Sequence, residues 1–162
     1  MGLRYFKIIL VFFVALQALF YVAGNLANWD SAVSTVGYVL SQQEHLYYPN
    51  HIFPALTSKA LVVAALLIIV TAELSVGTLA LKGCWYMWRA RKDDAAAFDR
   101  AKQFGLMGCL MAMVVWFGGF IVIGGALFQM WQTQVGDGSW SGAFMMGGIS
   151  ALIYLVVEKN EA

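Results

Sequence analysis

The hydrophobic residues of this chain gather in four long runs that are separated by shorter polar segments. The runs cover about residues 6–25, 60–81, 104–128 and 140–157. A helix needs about 20 apolar residues to cross the hydrocarbon core of a bilayer. Each run comes close to that length, and the segments between them leave no room for a soluble catalytic domain. The pattern predicts an all-α membrane protein, a four-transmembrane-helix bundle that forms a single domain over residues 1–162.

The first run also has features of a secretory signal peptide. Arg4 and Lys7 precede an apolar core, and Val22-Ala23-Gly24 is a poor cleavage site. We favour a retained transmembrane helix, because the apolar core is longer than that of a usual signal peptide and three further spans follow.

The segment between the first and second runs, residues 26–58, is the longest polar connection. Asp30 is a candidate helix N-cap, and Val33, Val36 and Leu40 recur at helical spacing. These positions predict a short outer amphipathic helix that lies on the membrane surface or against the outer ends of the spans.

The third run follows a strong signal for the start of a helix. Asp93 and Asp94 place acids at the favourable N-terminal end of the helix dipole. We expect a helix that begins near Asp94 in the cytoplasm and runs unbroken into the membrane. Further along, Gly136-Asp137-Gly138 predicts a turn, and Ser139 is the expected N-cap of the fourth helix.

The third and fourth runs are rich in glycine. Small residues let helix backbones approach closely, so this pattern predicts close helix packing within or between subunits. The candidate packing positions are Gly105, Gly108, Gly118, Gly119, Gly124, Gly125, Gly147 and Gly148.

Composition and charge agree with a membrane topology. Apolar residues make up 61% of the chain and charged residues 12%. With the N-terminus inside, every Lys and Arg except Lys59 lies on the cytoplasmic side, which is the positive-inside distribution. We therefore predict a multi-pass protein of the cytoplasmic (inner) membrane with both termini in the cytoplasm. Because topology accounts for the basic residues, we expect no nucleic-acid partner.

Several short motifs resemble a known family. Gly24-Asn25-Leu-Ala-Asn28-Trp29-Asp30 is followed by Val39-Leu40-Ser41 and, in the second span, by Ile68-Ile69-x-x-x-Glu73. Together these motifs resemble a bacterial family of predicted small integral membrane proteins of unknown function. The resemblance implies four helices and a location in a bacterial membrane, and it implies no activity.

Glu73 is a carboxylate inside an apolar run. An ionisable residue there is costly unless it is neutralised or paired, so Glu73 is a candidate functional residue. Counted from the basic residues at the cytoplasmic ends of their helices (Lys7, Lys82 and Lys159), Gln17, Glu73 and Ser150 lie at a similar depth. We predict an intramembrane polar layer formed by these three residues. Structural hydrogen bonding, a proton or ion relay, and contact with a helix of another protein all stay open as its role.

Catalytic and metal-binding signatures are absent from the sequence. No nucleophile–base pair or phosphate-binding loop of recognised spacing occurs. His45 and His51 both lie in the outer loop with Pro49 between them, which makes a poor metal site. Cys84 and Cys109 lack metal-type spacing. We expect no catalytic residue, no metal and no cofactor, and hence a non-enzymatic protein.

Two functions remain open at this point. The first is an accessory or scaffold subunit of a larger membrane complex, in contact with the lipid bilayer and with other membrane-protein subunits or further copies of itself. The second is a small oligomeric transporter or channel that uses Glu73.

The predicted topology can be tested by labelling single cysteines in a chain whose two natural cysteines are replaced. A cysteine introduced by Ser34→Cys should react with an impermeant thiol reagent added outside, because the segment after the first span lies on that side. A cysteine introduced by Ala96→Cys should react only after the membrane is opened. The reverse pattern of labelling would contradict the topology.

Overall fold

The computed structural model describes residues 2–161, and this part of the chain is helical without strands. The elements in chain order are α1 (Gly2–Ala27), α2 (Trp29–Leu40), α3 (Lys59–Ala90), α4 (Ala95–Ala101), α5 (Gln103–Met113), the π-helix (Val114–Leu127), the 3₁₀ turn (Met130–Gln132) and α6 (Gln134–Glu158).

The prediction of an all-helical protein with four spans is confirmed. Four helical stretches are long and apolar enough to cross a membrane, and each predicted run falls within or almost within one of them. Apolar side chains cover much of their outer surface, as lipid-facing helices require. The four stretches are Gly2–Ala27, Lys59–Ala90, Ala95–Leu127 and Gln134–Glu158.

Helices α1 and α3 run antiparallel and form the central pair of the bundle. The Ile8 carbonyl accepts a hydrogen bond from the Cys84 thiol over 3.5 Å, and Leu19 packs on Gly77 further along the same interface. Small residues such as Ala15, Ala18 and Ala80 are fully buried near this interface. Their size allows the close helix contact that association within lipid depends on.

The outer helix is confirmed, but its predicted N-cap is wrong. Helix α2 begins at Trp29 with Asn28 at the cap position, and Asp30 lies inside the first turn. An acid there still interacts favourably with the positive end of the helix dipole. Val33 and Val36 pack on Leu66 and its neighbours in a small apolar cluster beneath α2, so the helix lies against the bundle.

The third span starts as predicted and then changes its geometry twice. The Asp94 side chain caps α4 by accepting a hydrogen bond from the Ala97 N–H over 2.7 Å. The helical stretch continues to Leu127, but it is irregular at Lys102. The side chain of Lys102 donates a hydrogen bond to the Lys159 carbonyl, beyond the end of α6. From Val114 onward the backbone is a π-helix, which is an uncommon geometry over such a length.

The turn predicted at Gly136-Asp137-Gly138 is wrong, because these residues form the first turns of α6. The N-cap is Thr133 and not the predicted Ser139, and the Thr133 hydroxyl accepts a hydrogen bond from the Gly136 N–H over 3.1 Å. Glycine at this position also permits a very close approach to the Met130 carbonyl. Gly136 therefore relieves crowding beneath the 3₁₀ turn, and the helix extends beyond the predicted span.

Several of the glycines make tight contacts between helices. A methyl group on Gly108 would come within 2.8 Å of the Ala80 backbone nitrogen, and one on Gly83 would collide with the Gly105 backbone. Gly125 lies under Trp140, and Gly147 makes an ordinary contact with Phe117. These positions join α3 to α5 and the π-helix to α6, so α3, which also packs on α1, sits at the centre of the packing.

Three other glycines from the predicted set have open space beside them. A methyl group on Gly118, Gly119 or Gly148 would meet nothing within 4 Å. Their small size is not used for packing among the described residues. Either lipid or another protein would lie against them.

The ends of α1, α5 and α6 meet in a charged end cluster. Lys7 and Lys102 are buried, and both donate hydrogen bonds to the Lys159 backbone carbonyl, over 2.6 and 2.8 Å. The last carbonyls of a helix lack intrahelical partners and carry partial negative charge, so the two ammonium groups stabilise the end of α6. The cluster comprises Arg4, Lys7, Asp99, Lys102 and Glu161.

Glu161 completes this cluster by pairing with basic residues of α1. It accepts hydrogen bonds from Arg4 over 3.2 Å and from Lys7 over 2.7 Å. Burial raises the pKa of Glu161, but the hydrogen bonds and positive charges of Lys7 and Arg4 outweigh burial and hold the pKa below its ordinary value. The stability from this pairing is therefore present at neutral pH and is lost as the pH falls through the lowered pKa.

Gly108→Ala should destabilise the bundle, because the added methyl group would press on the backbone of α3. We expect a loss of about 1–3 kcal/mol in the free energy of unfolding, which is the usual cost of overpacking. Gly148→Ala is the matched control, since it adds the same group to an open helix face and improves helix propensity. Unfolding in mixed detergent measures both variants, and equal stabilities would contradict the packing described here.

Candidate functional site: a cavity at Glu73

The candidate functional site begins with a polar contact between α1 and α3. The side chain of Glu73 is buried, with 1% of its surface exposed, and its Oε2 accepts a hydrogen bond from Asn25 Nδ2 over 3.1 Å. Asn25 lies near the end of α1, opposite to the charged end cluster. Hydrocarbon offers no hydrogen bonds, so a buried carboxyl needs such a donor from its own bundle.

Glu73 lines a cavity of about 440 Å³ beneath the outer helix α2. The cavity is lined by α1, α2, α3, the π-helix and the first half of α6. Its other polar side chains are Asn25, Tyr21, Thr35 and Ser139. Most of the remaining wall is apolar, and none of the lining residues is Lys, Arg or His. The cavity therefore carries a potential negative charge without a matching positive one.

Two aromatic side chains stand at one side of the cavity. Tyr21 of α1 and Trp116 of the π-helix have ring centroids 6.4 Å apart and planes inclined at 63°. Trp116 is almost fully buried, whereas Tyr21 is partly exposed. Such edge-to-face pairs are a favourable arrangement of aromatic rings, so this corner of the cavity is held in place by packing.

A second, more apolar space adjoins the cavity, and we call it the apolar groove. It has a volume of about 610 Å³ and lies between α2, α3 and the π-helix. Gly118 and Gly119 line it, and Val36, Ile69 and Phe120 line both spaces. The groove and the cavity therefore share part of one wall.

The structure does not bring the predicted polar layer together by hydrogen bonds. Ser150 is fully buried in α6, and its hydroxyl has no partner among residues 2–161. Gln17 is partly buried, and no hydrogen bond among those residues joins it to Glu73. Because α1 and α3 are antiparallel and Leu19 packs on Gly77, Gln17 lies further than Leu19 from the level of Glu73.

Sequence reasoning missed Asn25, Tyr21 and Trp116 as neighbours of Glu73. Asn25 belongs to the first motif of the family resemblance, and Glu73 belongs to the last. The presence of both residues in the motifs of one family was a signal that they could be in contact. For Tyr21 and Trp116, an interfacial or packing role is the ordinary expectation, and the sequence pattern gave no reason to join them.

The outer loop holds the two histidines close together. The rings of His45 and His51 have centroids 5.0 Å apart, and burial together with the charge of His51 lowers the pKa of His45. The loop is linked to the 3₁₀ turn, where the Gln132 side-chain oxygen accepts hydrogen bonds from the Tyr47 and Tyr48 N–H groups. Within residues 2–161, no group of three or more His, Cys, Asp or Glu side chains is arranged to hold a metal ion.

The fold and the cavity define a small integral membrane protein with four candidate spans and a buried carboxyl. A family model described as "Predicted small integral membrane protein (DUF2165)" matches residues 3–160, and the chain belongs to that family. Comparison with curated proteins and with solved structures found no match to this chain.

The contact between Glu73 and Asn25 predicts that different substitutions of these residues change the free energy of unfolding by different amounts. Glu73→Gln keeps the shape and an acceptor oxygen, so it should unfold much like the natural protein. Glu73→Leu leaves Asn25 without its partner and should lose about 1–2 kcal/mol in the free energy of unfolding, the scale of hydrogen bonds between membrane helices. Unfolding in detergent of these variants and of Asn25→Leu gives the comparison. Full stability of Glu73→Leu would contradict a structural role of the contact.

Proposed function

We propose that this protein is a non-enzymatic accessory or scaffold subunit of a larger membrane complex. It acts as a single domain of a bacterial inner membrane, with both termini in the cytoplasm. The observation that carries this proposal is the apolar groove beside Gly118 and Gly119, which the described part of the chain leaves unfilled.

The groove suits a transmembrane helix of another subunit. Glycines that this chain needs for its own packing, such as Gly108, are already in tight contact, whereas Gly118 and Gly119 are open. Small residues on an open helix face allow a second backbone to approach closely, and this contact drives helix association in lipid. The walls of the groove are mostly apolar, so a helix can bury its side chains there without leaving polar groups unpaired.

The distribution of charge supports the proposed orientation. Arg4, Lys7 and Lys102 meet at one end of the bundle, and Arg91 lies at the same end because its carbonyl accepts a hydrogen bond from Arg4. Lys59 stands at the other end of α3. The positive-inside rule assigns the more basic end to the cytoplasm.

Gly118→Leu should release the proposed partner, because the larger side chain would occupy the space of the incoming helix. Ala126→Leu is the matched control, since Ala126 is exposed on the same segment but does not line the groove. Native gels after purification in mild detergent should show a larger species for the natural chain and for Ala126→Leu, and a smaller one for Gly118→Leu. A free monomer in all three preparations would overturn the proposal, and a species that contains only this chain would assign the groove to self-association.

A second candidate function is a small oligomeric transporter or channel that uses Glu73. The cavity favours it, because a carboxyl of this chain lines a space large enough for a small molecule and lies inside the membrane. Glu73→Gln should then fold normally and abolish proton or cation flux in proteoliposomes. Equal flux through the natural protein and Glu73→Gln would remove this candidate.

A further inference from the structure

We propose that the cavity at Glu73 binds a hydrophobic organic ammonium cation, with the Glu73 carboxylate as its counter-ion. This inference concerns the site on which the second candidate function rests, and it requires binding but no transport. Three features of the cavity specify the ligand: its charge, its aromatic corner and its apolar walls.

The charge of the cavity calls for a cation. Glu73 Oε2 has one donor, Asn25, and no hydrogen bond to Oε1 occurs among residues 2–161. None of the lining residues is basic, so the cavity supplies no counter-ion of its own. An ionised carboxylate away from water is stable only when it is paired. A bound ammonium group would supply the missing charge and a hydrogen-bond donor to Oε1.

The ligand set argues against a bare metal cation. Ca²⁺ takes about six to eight oxygen ligands, and Mg²⁺ also demands a nearly complete shell. The cavity offers a single carboxylate with a few neutral oxygens, and the described residues hold no cluster of three or more acidic, His or Cys side chains. An ammonium group needs far fewer contacts.

The aromatic corner favours an organic cation over a simple one. Tyr21, Trp116 and Phe120 all line the cavity, and Tyr21 and Trp116 present inclined rings on one side of it. The faces of Trp and Tyr attract ammonium groups within about 6 Å, most strongly where water is excluded. Thr35 and Ser139 add hydroxyl oxygens that can accept hydrogen bonds from the N–H groups of an amine.

The walls and the volume define the rest of the ligand. Leu66, Ile69 and Met146 give the cavity apolar surfaces, so the ammonium group is attached to an apolar body. A volume of about 440 Å³ lies within the range of small-molecule sites. The Glu73 carboxylate and the absence of basic residues from the lining disfavour a phosphate or carboxylate group inside the cavity.

Isothermal titration of the full chain in nanodiscs tests this assignment with three probes that share one apolar body. We expect 4-phenylbutylammonium to bind, 4-phenylbutanol to bind at least tenfold more weakly, and 4-phenylbutyrate not to bind. Glu73→Gln should weaken ammonium binding at least tenfold. Asp30→Asn, which removes an exposed acid outside the cavity, should leave binding unchanged and controls for general charge and for partition into lipid.

Equal affinity for the ammonium and the alcohol, or equal binding by the natural chain and Glu73→Gln, would overturn the proposal. If Glu73→Gln fails to fold, Trp116→Phe is the second variant. It keeps the cavity wall and should weaken ammonium binding by a factor of about 3–10, on the scale of a cation–π contact, without changing the binding of the alcohol. An unchanged ammonium affinity in Trp116→Phe would likewise count against the assigned site.

Flux measured in the same preparations separates this proposal from the transport function. Ammonium binding that depends on Glu73, without flux, supports the site and removes the transporter. Proton flux that depends on Glu73, without binding of 4-phenylbutylammonium, supports the transporter and overturns the ligand assignment.

Discussion

The absence of hydrogen-bonding partners in the hydrocarbon core is the constraint on which the rest of this structure depends. Backbone groups are satisfied within the helices, and charged groups gather at the ends of the bundle. Lys7 and Lys102 illustrate this most clearly, because both are buried and yet donate to the last carbonyls of α6. Glu73 departs from the pattern, since it lies within a candidate membrane span with one amide donor and a cavity beside it.

The same constraint explains why much of the fold could be predicted from the sequence. A long apolar run in a membrane protein can adopt few structures other than a spanning helix, so the hydropathy pattern predicts the four spans. The Asp94 cap followed from its position before a run of good helix formers, and the apolar spacing of Val33 and Val36 predicted the outer helix. The caps of α2 and α6 were misplaced by two and six residues, because Asn, Asp, Thr and Ser can all cap a helix and each segment offers several of them.

The composition of the site was harder to predict, because the axial register between helices is set by packing. The depth of Glu73 was counted from Lys82 as though that residue marked the membrane boundary. Helix α3 continues to Ala90, and the Lys82 ammonium lies 3.7 Å from the centre of the Phe104 ring. A long basic side chain can reach the interface from within a span, so it is a poor depth marker. The actual register follows close contacts such as that of Leu19 with Gly77, and it brings Asn25 to Glu73.

The π-helix lines both the apolar groove, on which the proposed scaffold function rests, and the cavity, on which the proposed ligand site rests. Segments of π-helix occur often at functional sites, and here the segment places Trp116 at the cavity and Gly118 and Gly119 at the apolar groove. Phe120 lines both spaces, as do Val36 and Ile69 from the facing helices. A partner helix in the groove would therefore press on the wall of the cavity, and a ligand in the cavity would press on the floor of the groove. Because packed side chains transmit such changes, occupation of one space would alter the free energy of occupying the other, and such a coupling would act equally in both directions.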